Sequence, residues 1–416
     1  MRAGVVGAPR LGRISSRSIS TAFGLFAVAL LSGCGSSDEE AAAGGGGVRE
    51  LSAECGAIID DCLVNQKSCA NDSSGTPQCV ACPQGEYANP DTKVCAKIGG
   101  TKWEHTFDTR TVEPGEEVTG QCRSWTLNNP EEIWFNAVEL TQDEASHHSN
   151  WMFVPDDQFD GPDGFWPCKD RNYSQLVAAL AGGVLYAQST QATHEVQKFP
   201  DGVGIRIPPH ARVLSDVHIL NVSPKAVTGD MNIAFYEIPK EEVKTVLTPF
   251  HLSYEELDIP PQSTSRFTGE CDFSESFQTI GNTPFNMKIY YALPHTHALG
   301  SRFFFELLGG DRDGETIIDI HGFNGEARGK QYRPPIDVTG ATGLRFGCEF
   351  DNPRDETVHW GFGDQEMCEV LGFAESDLAF ETFVQEANPD GMDGAVPKYT
   401  GPCSTTAFPW KQDKSQ

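Results

Sequence analysis

Two histidines, His295 and His297, stand two residues apart in a segment with the sequence Pro-His-Thr-His. The flanking residues 289–293 and 302–307 are rich in aromatic and other strand-forming types, so a strand or the edge of a strand is predicted here. Because strand side chains alternate between two faces, both imidazoles are expected on the same face. That spacing suits a shared metal ion, although two histidines in a strand are more often ordinary hydrogen-bonded side chains.

Three other segments supply further potential ligands. His147 and His148 are adjacent, and adjacent side chains on a regular strand point to opposite faces, so joint ligation requires a twist, a turn or a strand end. His218 stands alone in an apolar segment, where a buried and hydrogen-bonded histidine is the ordinary alternative. Met367 is a sulfur-bearing residue among the turn residues 361–368. Together with the first pair, these segments offer five imidazoles and one thioether.

The six remaining histidines match no ligand pattern, and each is expected to have a surface or core role. Two of them, His321 and His359, lie in the second half of the chain and are candidates for lining a cleft. The full set is His105, His194, His210, His251, His321 and His359.

The rest of the chain must position these residues, and its composition indicates an all-β fold. Among its 416 residues, 42 are Gly and 26 are Pro, and short apolar runs alternate with clusters of Gly, Pro, Asn and Asp. This pattern predicts two tandem jelly-roll-like β-sandwiches after a small disulfide-rich module. The expected sandwiches are 101–245 and 246–405, with a tail at 406–416 and the acidic stretch Pro239–Leu257 as the joint. A helix is expected from Ser376, as its N-cap, to Glu386.

The N-terminus predicts export and lipid attachment. Basic residues precede an apolar run at 22–31 that is too short to span a bilayer. The run ends in Leu-Ser-Gly-Cys, which resembles a bacterial lipobox and implies a signal peptide at 1–33 and acylation of Cys34; an ordinary cleaved signal peptide is the alternative. Residues 34–49 are expected to form a flexible tether. The protein is therefore expected outside the cytoplasm, lipid-anchored to a bacterial membrane, with Gly35 compatible with the outer membrane or cell surface.

The cysteine count agrees with an oxidising compartment. After Cys34, six cysteines fall within residues 50–97 and six in the rest of the chain, and both groups are even, as disulfide frameworks require. The first group lies in a stretch too short for a useful core, so disulfides of undetermined pairing are expected to stabilise it. A zinc site built on Cys79 and Cys82 is the alternative. We interpret this module as a spacer or as a contact site for a protein partner.

The charge of the chain argues against one class of partner. The formal net charge is −28, and residues 1–33 contain four arginines and no acidic residue, so the remainder carries −32. Nucleic-acid binding requires patches of Lys and Arg that neutralise phosphates. Nucleic acid is therefore not expected as a partner, and contact with the membrane is expected through the lipid anchor only.

The order and spacing of the potential ligands resemble those of a known family. A His-His pair is followed about 70 residues later by a lone His, about 75 residues later by His-Thr-His, and about 70 residues later by Glu-Met-Cys. This pattern resembles the type II copper, ascorbate-dependent monooxygenases, the family of peptidylglycine α-hydroxylating monooxygenase and dopamine β-monooxygenase. Residues 199–206 are similar to the family's segment before its lone histidine, and residues 361–368 look especially like the dopamine enzyme. The resemblance covers about residues 115–405.

The resemblance implies two copper ions, one in each sandwich, that face each other across an open cleft. A thioether favours Cu(I) and is a poor zinc ligand, which agrees with copper. The implied ligands of the electron-transfer copper are His147, His148 and His218. The implied ligands of the oxygen-binding copper, which are also the implied catalytic residues, are His295, His297 and Met367.

The resemblance also implies how the second cysteine group pairs. Carried over position by position, the implied pairs are Cys122 with Cys168, Cys271 with Cys403, and Cys348 with Cys368. They use all six cysteines of that region and leave none unpaired.

The implied activity is hydroxylation of a C–H bond in a small organic substrate, with O₂ and a one-electron donor such as ascorbate as co-substrates. Two alternatives stay open: a non-catalytic extracytoplasmic copper-binding lipoprotein, and an adhesion or assembly protein that works through its cysteine-rich module. The peptide enzyme grips its substrate's carboxylate with Arg, Asn and Tyr, and the matching positions here are Leu293, Glu369 and Leu371. Glycine-extended peptides are therefore not expected as substrates, and an apolar or amine-bearing small molecule fits better.

Overall fold

The computed structural model describes residues 55–56, 58–64, 66–188, 192–322, 329–361 and 363–410. The expected signal peptide, the expected lipid-bearing Cys34 and the tether lie outside the described residues. Within the described part of the chain, no helix is long and apolar enough to cross a membrane.

The disulfide-rich module contains one short helix and two small hairpins. Its elements are α1 (Ile59–Val64), β1 (Lys67–Asn71), β2 (Pro77–Ala81), β3 (Glu86–Ala88) and β4 (Cys95–Lys97). Hydrogen bonds dock the module on the first sandwich: the Gly85 N–H donates to Oε1 of the buried Glu139 at 2.6 Å, and the Val196 N–H donates to Gln66 Oε1 at 2.8 Å. The pairing that the sequence left open is Cys55 with Cys69, Cys62 with Cys79, and Cys82 with Cys95.

The N-terminal sandwich consists of two sheets with an apolar core between them. Its strands are β5 (Thr101–Val112), β6 (Glu117–Thr126), β7 (Ile133–Gln142), β8 (Ser146–Pro155), β9 (Gly164–Pro167), β10 (Gly183–Ala187), β11 (His194–Lys198), β12 (Val203–Ile207), β13 (Ala211–Leu220), β14 (Val227–Glu237) and β15 (Thr245–Val246); helix α2 (Gln175–Ala181) and 3₁₀ turns at Cys168–Arg171 and Lys240–Glu242 connect them. One sheet has the order β10-β8-β13-β6-β9, and the other has β15-β12-β7-β14-β5 with β11 beside β7. Phe135, Phe153 and Phe235 are buried in its core.

The C-terminal half is organised around one long strand. Its elements are β16 (Thr248–Tyr254), β17 (Asp258–Ile259), β18 (Ser263–Asp272), α3 (Ser274–Ser276), a π-helical turn (Phe277–Gly281), β19 (Lys288–His295), β20 (Gly300–Leu308), a 3₁₀ turn (Gly310–Arg312), β21 (Thr316–His321), β22 (Lys330–Asp337), β23 (Gly343–Asn352), β24 (Val358–His359), β25 (Glu369–Glu375), β26 (Leu378–Val384), β27 (Asn388–Asp393) and β28 (Val396–Pro409). Strand β28 pairs with β18 along its first part and with β26 along its second. A continuous sheet, β21-β20-β23-β18-β28-β26-β16-β25-β19-β22, therefore wraps around a core that includes Phe267, Phe305 and Phe346.

The predicted all-β sandwich class is confirmed, but the helix predicted at 376–386 is wrong. Residues Leu378–Val384 form strand β26, which pairs in parallel with β16 and antiparallel with β28. The segment alternates Leu, Phe, Thr and Val at every second position, and all four side chains are buried. The Ser376 hydroxyl caps no helix; it accepts from the Leu378 N–H at 3.2 Å in a local turn. The alternation of buried side chains with period two and the pairing with β16 and β28 favour a strand over a helix.

The chain passes from one sandwich to the other between Val246 and Thr248, next to the expected boundary at 245/246. Most of the predicted joint is structured, because β15 belongs to the first sandwich and β16 to the second. The last strand of the second sandwich runs to Pro409, past the expected end at 405. Apolar side chains join the two halves: the ring of Phe199 lies 6.3 Å from Tyr291 and 5.6 Å from Phe373, between ring centroids.

Three disulfides link elements within the sandwiches, and they have the pairing that the family resemblance implied. One of them bears directly on the ligands, because Cys368 follows Met367 and is bonded to Cys348 in strand β23. The pairs are Cys122–Cys168, Cys271–Cys403 and Cys348–Cys368.

Candidate metal centre

The first three histidines lie on two neighbouring strands of one sheet. His148 on β8 is the register partner of His218 on β13, but the next paired positions are Ser146 and Ile219, so His147 is an extra residue in β8. Such a β-bulge re-aims a side chain. It allows adjacent histidines to reach one cluster: the ring centroid of His218 lies 4.8 Å from that of His147 and 4.9 Å from that of His148.

The second pair of histidines lies where strand β19 ends. His295 is the last residue of β19 and pairs in register with Glu369 of β25, while His297 lies in the turn that follows. The two ring centroids are 5.1 Å apart. The buried Glu366 fixes this turn, because its carboxylate accepts from the His297 N–H at 2.9 Å and from the Leu299 N–H at 2.7 Å. The C-terminal histidines are therefore positioned by a turn and a carboxylate rather than by paired strands alone.

Met367 lies beside this histidine pair. The regular pairing ends at His295 and Glu369, two residues before His297 and two residues after Met367. His297 Nδ1 donates to the backbone oxygen of Gln365 at 2.7 Å, which holds the two turns together. The Met367 side chain is buried and lines the same cavity as His295.

The two ligand sets lie much closer together than expected. The family resemblance implied two sites across an open cleft, but the ring centroid of His148 is 5.3 Å from His295 and 6.5 Å from His297. The potential ligand atoms of His148, His295 and His297 all lie within 4.8 Å of one another. The open-cleft expectation is therefore wrong for this arrangement, because the packed apolar interface brings the sandwiches into contact. The five imidazoles form one group, which we call the histidine cluster: His147, His148, His218, His295 and His297.

Burial holds four imidazoles of the cluster in their neutral form. Burial, assisted by the other histidines, lowers the pKa of His147 to about 4 and that of His295 to about 3. Burial also lowers the pKa of His297, and it lowers the pKa of His148 well below the ordinary value. A metal ligand must offer a lone pair, so neutral imidazoles at neutral pH are the form that binds metal.

The donor set fits a metal ion. Because His297 Nδ1–H donates to a backbone oxygen, its Nε2 carries the lone pair, and this buried atom has no hydrogen-bond partner among the described residues. The buried His147 Nδ1 also has no hydrogen-bond partner among the described residues. His218 Nε2 hydrogen-bonds Glu117 Oε1 at 2.8 Å, which leaves Nδ1 facing His148 Nε2 at 3.1 Å. A carboxylate behind a histidine ligand is the usual way to fix its tautomer and orientation.

A cavity of about 650 Å³ opens beside the histidine cluster. His148, His218, His295 and Met367 lie at one part of its wall, and apolar side chains such as Phe380 and Trp410 form much of the remainder. The described lining residues include no Lys or Arg. The three positions that replace the family's carboxylate clamp all line this cavity: Leu293, Glu369 and Leu371.

Sequence reasoning missed an ionic group in the cavity wall. His251 Nδ1 lies 2.7 Å from Glu381 Oε1, and its Nε2 lies 3.5 Å from Glu369 Oε2, which also accepts from the Ser253 hydroxyl through Oε1 at 3.0 Å. Burial alone would lower the pKa of His251, but the two carboxylates outweigh it and raise that pKa to about 10. Burial would raise the pKa of Glu369, but His251 and Ser253 outweigh it and lower that pKa to about 2. The spacing of His251, Glu369 and Glu381 in the sequence does not predict that they meet, because β16 pairs with β25 and β26 only in the folded sheet.

The other histidines belong to neither potential metal-binding group found among the described residues. Neither His321 nor His359, the two candidates for lining a cleft, is among the described residues of the cavity wall. The His105 ring stacks on Trp125, and His194 Nε2 lies 2.9 Å from the buried Glu139 Oε1. His210 is largely exposed. His105, His194 and His210 therefore have the surface or core roles that were expected from the sequence.

Comparisons with known proteins give no functional assignment. No family model matches the chain, and no curated protein matches it. Among solved structures, the major capsid protein P2 from bacteriophage PM2 has a TM-score of 0.28 at 8% identity, covering 66% of this chain and 97% of the other. The PBCV-1 VP54 structure fitted into the virophage Sputnik has a TM-score of 0.24 at 6% identity, covering 67% and 94%. A putative secreted protein from Parabacteroides distasonis has a TM-score of 0.18 at 9% identity, covering 70% and 90%.

Proposed function

We propose that this protein is a copper-dependent monooxygenase, lipid-anchored outside the cytoplasm of a bacterium, that hydroxylates a C–H bond of a small organic substrate with O₂ and a one-electron donor such as ascorbate. The observation that carries the proposal is the convergence of five imidazoles beside a cavity whose wall includes His148, His218, His295 and Met367. A purely structural protein has no need of such a donor set. The mixture of imidazole and thioether suits copper in both oxidation states.

The proposal gives each ligand set its own task. His147, His148 and His218 would hold an electron-transfer copper, and His295, His297 and Met367 would hold the copper at which oxygen reacts. When bound, the two ions would supply electron transfer and oxygen activation. The chain itself orients the imidazoles: Glu117 holds His218 through Nε2, and Gln365 O holds His297 through Nδ1. Both contacts leave the opposite ring nitrogen for the metal.

The cavity supports a substrate that lacks a carboxylate. Four acidic side chains line it, and no Lys or Arg does so among its described lining residues. An anionic group entering this space would lose its hydration and find no cation among the described lining residues except His251, which is already held between two carboxylates. We therefore propose an apolar or amine-bearing small molecule. Turnover of a peptide with a C-terminal glycine by the copper-loaded protein would overturn this part of the proposal.

The decisive experiment measures oxygen consumption with ascorbate as the electron donor. Protein loaded with two copper ions is compared with Met367→Ala and His295→Ala, and with His210→Ala as an exposed control. We expect ascorbate-dependent oxygen uptake in the parent and the control, and loss of at least about 100-fold in the two ligand variants. Equal uptake in all four proteins would refute catalysis at this site. Two bound coppers without oxygen uptake in the parent would favour the non-catalytic copper-binding lipoprotein instead.

A further inference from the structure

His148 belongs to two potential metal-binding groups at once. One group is the N-terminal triad, His147, His148 and His218. The other is His148 with His295 and His297, and in each group the potential ligand atoms lie within 4.8 Å of one another. The second group takes its ligands from both sandwiches. We call it the shared triad.

The position of His148 favours neither group strongly. Its ring centroid is 4.9 Å from that of His218 and 5.3 Å from that of His295. Three nitrogens bound tetrahedrally at about 2.0 Å from a metal ion are separated by about 3.3 Å. Atoms within 4.8 Å reach this separation through small rotations of the imidazoles, without movement of a strand.

The C-terminal members of the shared triad are prepared to bind. His297 presents the buried Nε2 that has no hydrogen-bond partner among the described residues, because its Nδ1 is held by Gln365 O. His295 is fixed by the pairing of β19 with β25 and is buried. Met367 and two members of the shared triad, His148 and His295, line the cavity, so the triad adjoins open space.

Buried aromatic side chains pack the interface between the two sandwiches. Phe199 of the N-terminal half packs against both Tyr291 and Phe373 of the C-terminal half, and all three are buried. Tyr291 lies on β19, the strand that ends at His295. The same interface that closes the sandwiches therefore holds His148 against the C-terminal histidines.

We propose that His148, His295 and His297 form a metal site of their own, in which a single ion bridges the two sandwiches. His148 exchanges between this shared triad and the N-terminal triad. The proposal rests on the metal-binding role proposed above, but not on turnover. It has a direct consequence: an ion in the shared triad leaves only His147 and His218 for a second ion, so the first equivalent binds more tightly than the second. Release of His148 back to its own triad gives metal a short route between the two halves.

Zinc binding tests the shared triad without any need for oxygen chemistry. Zn²⁺ takes imidazole nitrogen readily and thioether poorly, so it reports on the histidines alone. The background variant is His147→Ala/His218→Ala, which keeps the shared triad and removes the N-terminal one. We expect this variant to bind one Zn²⁺ with three nitrogen ligands by X-ray absorption, and to lose at least about tenfold in affinity when His148→Ala is added.

A matched control distinguishes loss of a zinc ligand from a local change in the structure of strand β8. Asn150→Ala in the same background alters β8 two residues from His148, at a side chain that also lines the cavity. We expect this change to leave the zinc affinity unchanged. An affinity that does not respond to His148→Ala, that falls equally with Asn150→Ala, or that is absent from the background variant would overturn the proposal.

The unmodified protein supplies a second readout that depends on no variant. With ¹⁵N-labelled histidine, the first equivalent of Zn²⁺ is expected to shift the ring-nitrogen signals of His148, His295 and His297. Signals of His147 and His218 should move only with the second equivalent. A first equivalent that shifts His147 and His218 instead would contradict the shared triad. Failure of ascorbate-dependent oxygen uptake would leave this result untouched, so the two proposals fail separately.

Discussion

The two sandwiches present their ligands by different means. In the N-terminal half, His148 and His218 are direct partners in paired strands, and a bulge turns His147 toward the same cluster. In the C-terminal half, regular pairing ends at His295, and His297 and Met367 lie in turns. Side-chain contacts and one disulfide hold those turns.

This contrast indicates where each half is vulnerable. Sheet hydrogen bonds are numerous, so register sets the positions of the N-terminal triad, and Glu117 adds one side-chain contact that orients His218. The C-terminal ligands depend on Glu366, which binds two backbone N–H groups, and on the Cys348–Cys368 disulfide next to Met367. Substitutions outside the ligands should therefore affect the C-terminal half more.

Removing one disulfide from each half should give the largest effects. The chain-entropy relation predicts a loss of about 3 kcal/mol for Cys348→Ala/Cys368→Ala and about 4 kcal/mol for Cys122→Ala/Cys168→Ala, whose bonds span 20 and 46 residues. Only the first variant should weaken copper binding at Met367. Chemical denaturation and sulfur coordination in the reduced, copper-loaded protein measure the two effects. Equal loss of the sulfur ligand in both variants would refute the contrast.

Glu366→Ala should destabilise the C-terminal ligands selectively. The substitution leaves the part-buried N–H groups of His297 and Leu299 without their carboxylate acceptor, at a cost of about 3 kcal/mol. Zinc or copper titration should show a weakened C-terminal site, while the N-terminal triad keeps its affinity. Glu375→Ala removes a carboxylate that pairs with Lys288 on the surface, and it serves as the control. If both variants bind metal like the parent, Glu366 does not position the ligands.

Glu117→Gln should produce a smaller change confined to the N-terminal half. Glu117 holds Nε2 of His218, and loss of a carboxylate behind a ligand histidine typically lowers metal affinity by about tenfold or more. Because this carboxylate is 41% exposed, we expect the lower end of that range. Isothermal titration with Zn²⁺ measures it, with the exposed Glu113→Gln as control. A weakened C-terminal site would show that the two halves are not independent in this respect.

The dependence of stability on pH should be the smallest difference, and it should arise in the C-terminal half. The pKa of His251 is raised to about 10, so its stabilising charge is fully present below the ordinary value near 6.5 and is lost as pH rises through about 10. Melting temperatures between pH 6.5 and 10 should fall less steeply in His251→Gln than in the parent. The exposed His321→Gln is the matched control. Parallel curves for parent and His251→Gln would contradict this assignment.

Much of the fold was predictable because it depends on local patterns. Short alternating runs and turn residues gave the all-β class, and the even cysteine groups gave disulfide frameworks. The error at 376–386 has the same origin: a Ser followed by a mixed polar and apolar segment fits a helix start as well as a strand. Its neighbours β16 and β28, which lie more than ten residues away in sequence, decided between the two.

The ligand types and their order along the chain are properties of the sequence alone, since an imidazole or a thioether carries its chemistry wherever it lies. Tertiary structure alone decided that His147 turns toward His148, because the bulge requires the register between β8 and β13. It also decided that His148 meets His295 and that Glu366 holds the turn of His297. These contacts join residues about 70 to 150 positions apart, and only packing between strands and between sandwiches brings such residues together.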